Sequence, residues 1–424
     1  MRIYVALLLC TASAFAEIKT MTLREALNLA LAQNPDLMLA RLDQQKARAQ
    51  VTIARDPFQP KVYAGSGAAW TSGFPASIDG SAPAILQLKT QMSLFDQPQR
   101  YQIAAANENA RGAGIDASRR EDEVAYRVAA LFFDAQRAAR SVAAAQREIE
   151  NLSRVVDLVK ARIEEGREVP IAGARSSLNL RGAQRTADSL ALDQLQAETS
   201  LAIALGLNPD DRVRAAEEEQ LGLTVPASEQ DSIAAVLESS PELKRLQSSM
   251  QAKELEIKSY RAQRLPKVSL VAQYELFAKY YYQDYFAAFQ RNSGQLGASF
   301  DVPVLVGRSA RAYISQAETD IEKLRIQTDQ ARARITADLR RSFQEVKRAE
   351  SGRDFAREDL DVARHQVSDD LALNDEGRLP MAALEQARAV EQEKWLAYYD
   401  AQHSLEVAKL NVLRDSGTIL AALK

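Results

Sequence analysis

The sequence predicts an internally duplicated α+β membrane protein in which short membrane strands alternate with very long helices. Three observations support this prediction. The landmarks of residues 34–62 return in the same order at 240–268. Four segments alternate apolar and polar residues, and residues 99–165 and 309–376 contain no proline. A repeat spacing of about 200 residues indicates two halves of one architecture and is far longer than the period of a solenoid.

Each copy of the repeat begins with a helix start and ends with a strand entry. An Asn-Pro-Asp-Leu run at 34–37 returns as Ser-Pro-Glu-Leu at 240–243, and Pro-Lys-Val at 60–62 returns unchanged at 266–268. Asn or Ser accepts hydrogen bonds from the free N–H groups of a helix start, proline suits the first helical position, and an acidic residue meets the positive dipole end. The later prolines stop each helix, because proline lacks the N–H donor and displaces its predecessor from the helical conformation.

Four segments after these stops read as strands, paired into hairpins at about 61–95 and 267–305. In every segment the apolar face carries even numbers, and about ten residues suffice for a tilted strand to cross a bilayer. An ordinary half-buried sheet would show the same alternation, so that alternative stays open. The predicted apolar faces consist of Val62, Ala64, Ala68 and Trp70; Leu86, Leu88, Met92 and Leu94; Val268, Leu270, Ala272, Tyr274 and Leu276; and Leu296, Ala298, Phe300 and Val302.

A very long helix follows each strand pair. At 1.5 Å per residue, a tract without proline such as 99–165 would form a rod of about 100 Å. Both tracts end at a glycine with a proline shortly after it, Gly166 and Gly377, which is the pattern of a sharp helix stop. A returning helix is then expected in each half, closing at Gly206 and Gly417.

The first residues read as an export signal. Arg2 precedes a short apolar core, and an Ala-Phe-Ala cleavage pattern ends at Ala16. Lipoprotein-type processing at Cys10, the single cysteine, is the alternative. We therefore expect four parts: a signal peptide over 1–16, a first repeat over 17–206, a connector over 207–231 and a second repeat over 232–424.

The composition argues against enzymatic and nucleic-acid functions. The chain has 26% charged residues with a net charge of −3, and its acidic and basic residues are interleaved, so nucleic acid is not an expected partner. His365 and His403 are the two histidines, and neither belongs to a metal-ligand or catalytic motif. We expect no catalytic residues, no cofactor and no metal, with both histidines on helix surfaces.

The doubled order of capped helix, strand hairpin, long helix, glycine tip and returning helix resembles the TolC family of outer-membrane efflux proteins. The resemblance covers nearly all of the chain that follows the signal. It implies a homotrimer with a 12-stranded β-barrel, four strands per chain, continued by a long α-helical coiled-coil barrel in the periplasm. It also implies an exit duct in the outer membrane of a Gram-negative-type cell, serving an efflux pump or a type I secretion system. The implied partners are outer-membrane lipid, a periplasmic adaptor (membrane fusion protein) and an inner-membrane transporter.

The residues themselves point to an oligomer. Four strands cannot close a barrel, and an open sheet edge in lipid leaves backbone groups unpaired at several kcal/mol each. Three chains would give twelve strands, within the known range. An exported soluble coiled-coil scaffold or an adaptor protein is the competing interpretation, which accounts for the helices and leaves the strands unexplained.

The candidate functional residues fall into three groups. The positions where well-known family members carry gate aspartates are Ala383 and Gln386 here, and a first-half position used in their closing network is Ala172, so the usual gate does not carry over. The expected periplasmic tip, docking and gate residues are Glu165, Gly166, Arg167, Asp375, Glu376, Gly377, Arg378 and Glu385. Lumen-facing barrel residues are expected at Gln87, Lys89, Gln91, Gln273 and Glu275, and membrane-interface aromatics at Trp70, Tyr274, Tyr281, Tyr282 and Tyr285.

Overall fold

The structure, a computed structural model, describes residues 18–67, 84–208, 210–216, 222–277, 292–304 and 307–423, and most of them are helical. The helices in chain order are α1 (Leu23–Gln33), α2 (Pro35–Arg55), α3 (Gln97–Glu164), α4 (Pro170–Ala204), α5 (Glu229–Ser239), α6 (Pro241–Ala262), α7 (Ser309–Asp375), α8 (Met381–Asp415) and α9 (Ile419–Leu423). The strands are β1 (Ile18–Met21), β2 (Lys61–Gly67), β3 (Ala84–Phe95), β4 (Arg212–Ala215), β5 (Lys267–Phe277) and β6 (Asn292–Asp301). The two long helices have nearly the same length, 68 residues in α3 and 67 in α7.

Helices α2 and α6 begin where the sequence predicts them, and α1 has a capped start as well. Thr22 caps α1 in a capping box with Glu25. The side-chain oxygen of Asn34 accepts from the backbone N–H groups of Asp36 and Leu37, at 2.9 and 3.3 Å, so α2 begins at its proline. Helix α6 begins at the equivalent proline. These contacts satisfy donors that a helix start leaves without partners.

The chain divides into two units by its internal contacts. The first, here called the helical unit, comprises residues up to 39, 118–240 and 332–424. The second, here called the sheet unit, comprises 40–117 and 241–331. Each unit therefore takes segments from both halves of the chain.

The core of the helical unit is built from segments that lie far apart in the sequence. Its largest buried cluster joins the apolar face of α1, the middle of α3, the end of α4, and residues of α8 and α9. Phe132, on α3, is fully buried in this cluster. A short parallel pair forms in the same unit, because β1 lies beside β4 with Ile18 opposite Arg212.

A buried carboxylate secures β4. Glu198, on α4, has 1% of its surface exposed, and it accepts from Arg212 at 2.6 Å, from Arg214 at 3.1 Å and from Gln194 at 2.7 Å. Because a buried charge is tolerated only with such partners, these contacts fix the connector strand against the helix. Neither β1 nor β4 was predicted from the sequence.

The sheet unit contains a four-stranded antiparallel sheet in the order β2-β3-β5-β6. Its helical segments pack through Ile257, Ala317 and Ile321. The hydroxyl of Ser259 donates to the backbone carbonyl of Pro98 at 2.9 Å, which ties α6 to the start of α3. Each of the four predicted strand segments therefore contributes a strand to one sheet, although Ala68 lies outside the described residues and β6 ends before Val302.

Candidate functional site

The register of the sheet separates polar from apolar side chains. Gln87 lies opposite Glu275, and Lys89 lies opposite Gln273, whereas Leu88 lies opposite Tyr274. Directly opposed residues of an antiparallel pair point to the same face, so these polar residues share one face and Leu88 lies on the other. The sheet thus brings together the predicted polar positions of two strands that belong to different halves of the chain.

Hydrogen bonds link the side chains of this polar face. The amides of Gln87 and Gln273 both donate to the same carboxylate oxygen of Glu275. Strand β6 extends the face, because Gln295 lies opposite Gln273. Gln91, the remaining predicted member, lies opposite Val271 and Lys61 and is exposed.

The opposite face of the sheet is apolar and carries large exposed side chains. Its exposed members include Val62, Leu86, Tyr274, Leu296 and Phe300. Register shifts interrupt the alternation between Gly65 and Gly67, between Ala84 and Leu86, and between Ser93 and Phe95. The shift between Ala84 and Leu86 leaves Ile85, an exposed apolar residue with an odd number, without a partner in the register.

One of the five predicted membrane-interface aromatics lies among the described residues. Tyr274 lies on the apolar face and is exposed. Trp70, Tyr281, Tyr282 and Tyr285 lie outside the residues that the structure describes.

The helical tips end in the glycine turns that the sequence predicts. Gly166 has φ of 72° and Gly377 has φ of 71°. At the first tip, the N–H of Gly166 donates to Ile163 at 2.9 Å and that of Arg167 donates to Arg162 at 2.8 Å. At the second tip, the N–H groups of Gly377 and Arg378 make the equivalent two bonds. This is the Schellman arrangement, in which a left-handed residue lets the last carbonyls of a helix find donors.

Each tip arginine pairs with a carboxylate of its own turn. The guanidinium of Arg167 lies 3.1 Å from Glu165, and that of Arg378 lies 3.0 Å from Glu376. All four side chains are well exposed, and exposed pairs of this kind contribute about 0–1 kcal/mol. The arginines are therefore free to exchange these partners for others.

The two tips of one chain lie side by side. A buried cluster joins Val159 of α3, Met381 and Leu384 of α8, and the partly buried Ala172 of α4 and Val367 of α7. These residues lie within about three turns of Gly166 or Gly377 along the sequence. The two hairpins consequently end at the same level.

Glu385, one of the expected tip, docking and gate residues, is buried within the chain. Glu385 has 7% of its surface exposed, and its carboxylate accepts from the hydroxyl of Ser176 at 3.1 Å and from the amide of Asn179 at 2.9 Å. Glu385 therefore links α8 to α4 in the interior of the helical unit. Asp375 is exposed, as Glu376 is, so these two remain on the tip surface.

A groove of about 910 Å³ runs between α3, α4 and α8 above the tips. Leu152, Val159 and Met381 contribute apolar lining, and Glu148 contributes a carboxylate. Burial raises the pKa of Glu148 to about 7. The positive charge of Arg388 lowers this pKa, and the negative charge of Glu391 raises it further. Glu148 carries no signal in the sequence, because one more glutamate on a charged helix has no distinguishing pattern.

Glu148→Gln is expected to stabilise the protein at pH 8 and to leave it nearly unchanged at pH 4. A carboxyl whose pKa is higher in the folded protein than in the unfolded chain favours folding below its ordinary pKa of 4.5, and this contribution is lost as pH rises from there to about 7. Melting temperatures of the two proteins across this range measure the effect. Glu150→Gln, at an exposed position of the same helix, serves as the control and should show no growing difference. A difference for Glu148→Gln that does not change with pH would contradict the assignment.

Two further side chains of the helical unit, His403 and Trp395, make contacts that the sequence does not predict. The side chain of His403 is partly buried, with 20% of its surface exposed, and its Nε2 lies 2.7 Å from the carboxylate of Asp134. Trp395 of α8 packs against Tyr399, and the guanidinium groups of Arg147 and Arg364 lie over its ring. Trp395 is one of only two tryptophans in the chain, and its rarity is the sequence feature that could have indicated this cluster.

Among the residues that the structure describes, no group of three or more His, Cys, Asp or Glu side chains could hold a metal ion. In the same residues, no helix is long and apolar enough to span a membrane.

Comparison with known proteins identifies the family that the chain resembles. Residues 26–207 match the family model described as outer membrane efflux protein. The resemblance to the TolC-like outer-membrane efflux proteins is confirmed. No curated protein sequence matches the chain significantly.

Solved structures of outer-membrane channels share the fold over nearly the whole chain. A membrane protein from Pseudomonas aeruginosa is 16% identical, with 93% of this chain and 92% of that chain covered and a TM-score of 0.76. The Campylobacter jejuni CmeC outer membrane channel is 15% identical, with coverages of 93% and 85% and a TM-score of 0.75. The Vibrio cholerae outer membrane protein VceC is 14% identical, with coverages of 93% and 96% and a TM-score of 0.73. The chain therefore has the fold of the outer membrane efflux channels.

Proposed function

We propose that this protein is the outer-membrane exit duct of a tripartite efflux pump or a type I secretion system. It passes substrates from an inner-membrane transporter and a periplasmic adaptor to the exterior. The observation that carries the proposal is the two-faced sheet, whose register places Leu88 and Tyr274 on an exposed apolar face and Lys89 and Gln273 on a polar one. A lipid-facing and a lumen-facing side are what a membrane strand requires.

The sheet also supports the trimer. Strands β2 and β6 are its edges, and among the described residues neither has a second neighbour. An open edge in lipid is costly, so each edge needs a strand from another copy. Three copies give a closed barrel of twelve strands, continued into the periplasm by the long helices of the two similar halves.

Fractionation of cells tests the location. The protein should stay with outer membranes through a sodium carbonate wash and should be extracted by detergent as a trimer. An exported soluble scaffold or an adaptor protein would be released by the wash. Release into the soluble fraction would therefore contradict the proposed role as an outer-membrane exit duct.

The helical tips are proposed as the periplasmic entrance and the docking surface for the adaptor. Gly166 and Gly377 make the turns, and Glu165, Arg167, Glu376 and Arg378 present exposed charges beside them. Asp375 adds a further exposed carboxylate at the second tip. Because the arginine pairs lie within single turns, an acidic group on an adaptor or on a neighbouring tip can compete for them.

Arg378→Glu distinguishes docking from gating. Export of substrate is measured in cells, and single-channel conductance is measured in bilayers. Lost export with unchanged conductance supports docking, and raised conductance supports a gate. Arg357→Glu, at an exposed position of α7, the helix that leads into this tip, is the matched control and should change neither quantity. An Arg378→Glu protein that behaves like the control would remove Arg378 from the site.

A further inference from the structure

An exposed arginine lies at each of the four places where a helix of the sheet unit joins a strand. Arg55 is the last residue of α2, before β2, and Arg261 lies in the last turn of α6, before β5. Arg100 and Arg311 lie in the first turns of α3, after β3, and of α7, after β6. All four residues are exposed. Each strand of the four-stranded sheet therefore has one arginine at its helical end.

The internal duplication relates these arginines in two pairs. Arg55 and Arg261 are separated by the same number of positions as the two Pro-Lys-Val runs. Arg100 and Arg311 are separated by the same number of positions as the two tip glycines. Since equivalent positions of the two halves occupy equivalent places, we expect the members of each pair to lie on the same side of the sheet unit.

Arg100 lies on the apolar side of the sheet. Its guanidinium carbon is 5.4 Å from the centre of the Phe95 ring. Phe95 lies opposite Val268, which belongs to the apolar face, and opposed residues of an antiparallel pair share a face. Arg311, the equivalent of Arg100 in the second half, lies on this side as well.

The side of the other two arginines follows from a contact between α6 and α7. The guanidinium of Arg261 lies 3.4 Å from the carboxylate of Glu318. Glu318 is seven positions after Arg311 on α7, and residues seven apart lie on one side of a helix. Arg261 therefore shares the side of Arg311, and its equivalent Arg55 does so too. These four arginines, here called the arginine belt, border the apolar face at its helical end.

The arginine belt lies next to the apolar surface. Arg55 and Arg261 each precede the first apolar-face valine of the following strand, Val62 or Val268, by seven positions. The contact of Arg100 with a ring of the apolar face shows the same proximity. A long basic side chain of this kind lies along an apolar surface and keeps its charge in the polar layer beside it.

Most of the positive charge of the arginine belt is not neutralised within the chain. Arg261 has an exposed carboxylate partner in Glu318. Among the residues that the structure describes, Arg55, Arg100 and Arg311 form no ion pair. An anionic group is therefore the complement of this surface, and a headgroup that also carries an ammonium group is less suited to it.

We propose that the arginine belt binds the phosphate groups of anionic glycerophospholipids in the membrane leaflet next to the helices. The inference rests on the proposed function, which places the apolar face against outer-membrane lipid and the helices in the periplasm. A guanidinium donates two parallel hydrogen bonds to a phosphate, and basic residues at a membrane surface attract anionic lipids. The acyl chains lie along the apolar face, and three copies continue the belt around the barrel.

Native mass spectrometry of purified trimers tests the arginine belt. Trimers in detergent are mixed with equal amounts of phosphatidylglycerol, which is anionic, and phosphatidylcholine, which is zwitterionic. We expect the natural protein to retain several-fold more phosphatidylglycerol. A variant in which all four belt arginines are changed to glutamine should retain the two lipids equally. Excess inorganic phosphate should not displace the retained lipid, because its acyl chains also contact the apolar face.

The matched control removes the same number of basic groups from the same four helices, farther from the sheet. Its substitutions, all at exposed positions, are Arg48→Gln, Arg111→Gln, Lys244→Gln and Arg325→Gln. This control should keep the lipid preference of the natural protein. If the belt variant does not assemble, its four single substitutions are compared with the four single controls. Each belt substitution should then lower the preference, and its control should not.

The outcomes separate this inference from the proposed function. A trimer that stays in the outer membrane and shows no lipid preference overturns the arginine belt and leaves the exit duct in place. A belt variant that keeps the preference, or a control that loses it, overturns the belt in the same way. Displacement of the lipid by inorganic phosphate would show a site for a free anion and would overturn the lipid assignment. Release of the protein by the carbonate wash contradicts the exit duct itself.

Discussion

Replacing Leu88 with arginine is expected to prevent most trimers from assembling in the outer membrane. Leu88 lies opposite Ala64 and Tyr274, so its neighbours on both sides belong to the apolar face. In the proposed barrel this face contacts lipid, where an arginine near the midplane costs about 2–4 kcal/mol per chain. The penalty applies to each of three copies, and heat-resistant trimers in isolated membranes measure the result.

Lys89→Glu is the matched control for Leu88→Arg, since it changes a charge at the next residue of the same strand. Lys89 lies on the polar face opposite Gln273 and Tyr63, so the substitution should leave assembly intact. It should instead shift the ion selectivity of the channel in bilayers toward cations. Equal tolerance of the two substitutions would show that the faces are not divided between lipid and lumen.

Gly206→Ala is expected to be far more damaging than Gly166→Ala, although both glycines end a helix with positive φ. Gly206 has φ of 79°, and a Cβ there would lie 2.7 Å from the backbone oxygen of Gln33. The left-handed conformation costs an L-residue about 1–2 kcal/mol, and the contact with a carbonyl oxygen adds to it. Since that oxygen belongs to the end of α1, relief requires the buried core of the helical unit to shift.

Gly166 provides a control with the same backbone conformation and open surroundings. Its φ is 72°, and a Cβ there would meet nothing within 4 Å. Only the cost of about 1–2 kcal/mol for the conformation should remain, so trimers should form. Protease resistance and melting temperature, measured for both variants, compare the two positions. Similar losses at Gly206 and Gly166 would contradict the role assigned to the Gln33 carbonyl.

The features predicted correctly from the sequence are those that local chemistry determines. Asn34 caps α2 because its side chain reaches N–H groups two and three residues ahead. Gly166, Gly206, Gly377 and Gly417, the four predicted helix stops, are the residues with positive φ in the described part of the chain. The strand faces follow in the same way, since alternation over a few residues fixes which side chains share a face.

The features that escaped prediction depend on residues distant in the sequence. Strand β4 pairs with β1 although α1 to α4 all lie between them in the chain, and so short a strand carries too little alternation to be recognised. Glu385 reads as a surface charge until Ser176 and Asn179, from the first half of the chain, are placed beside it. The surroundings of Glu148 and His403 likewise come from other helices, so burial at these positions has no local signal.

The main core of the helical unit can form only after nearly the whole chain is available. Leu23 and Leu27 share that core with Leu413, Ile419 and Leu423. If the chain is exported starting from its N-terminus, α1 lacks its packing partners until nearly all of the sequence has crossed the membrane. The long separation in sequence of these contacts predicts slow folding, because loop closure must precede the gain from burial. During that interval the apolar face of α1 is open to solvent, and the waiting chain is at its most vulnerable to aggregation and proteolysis.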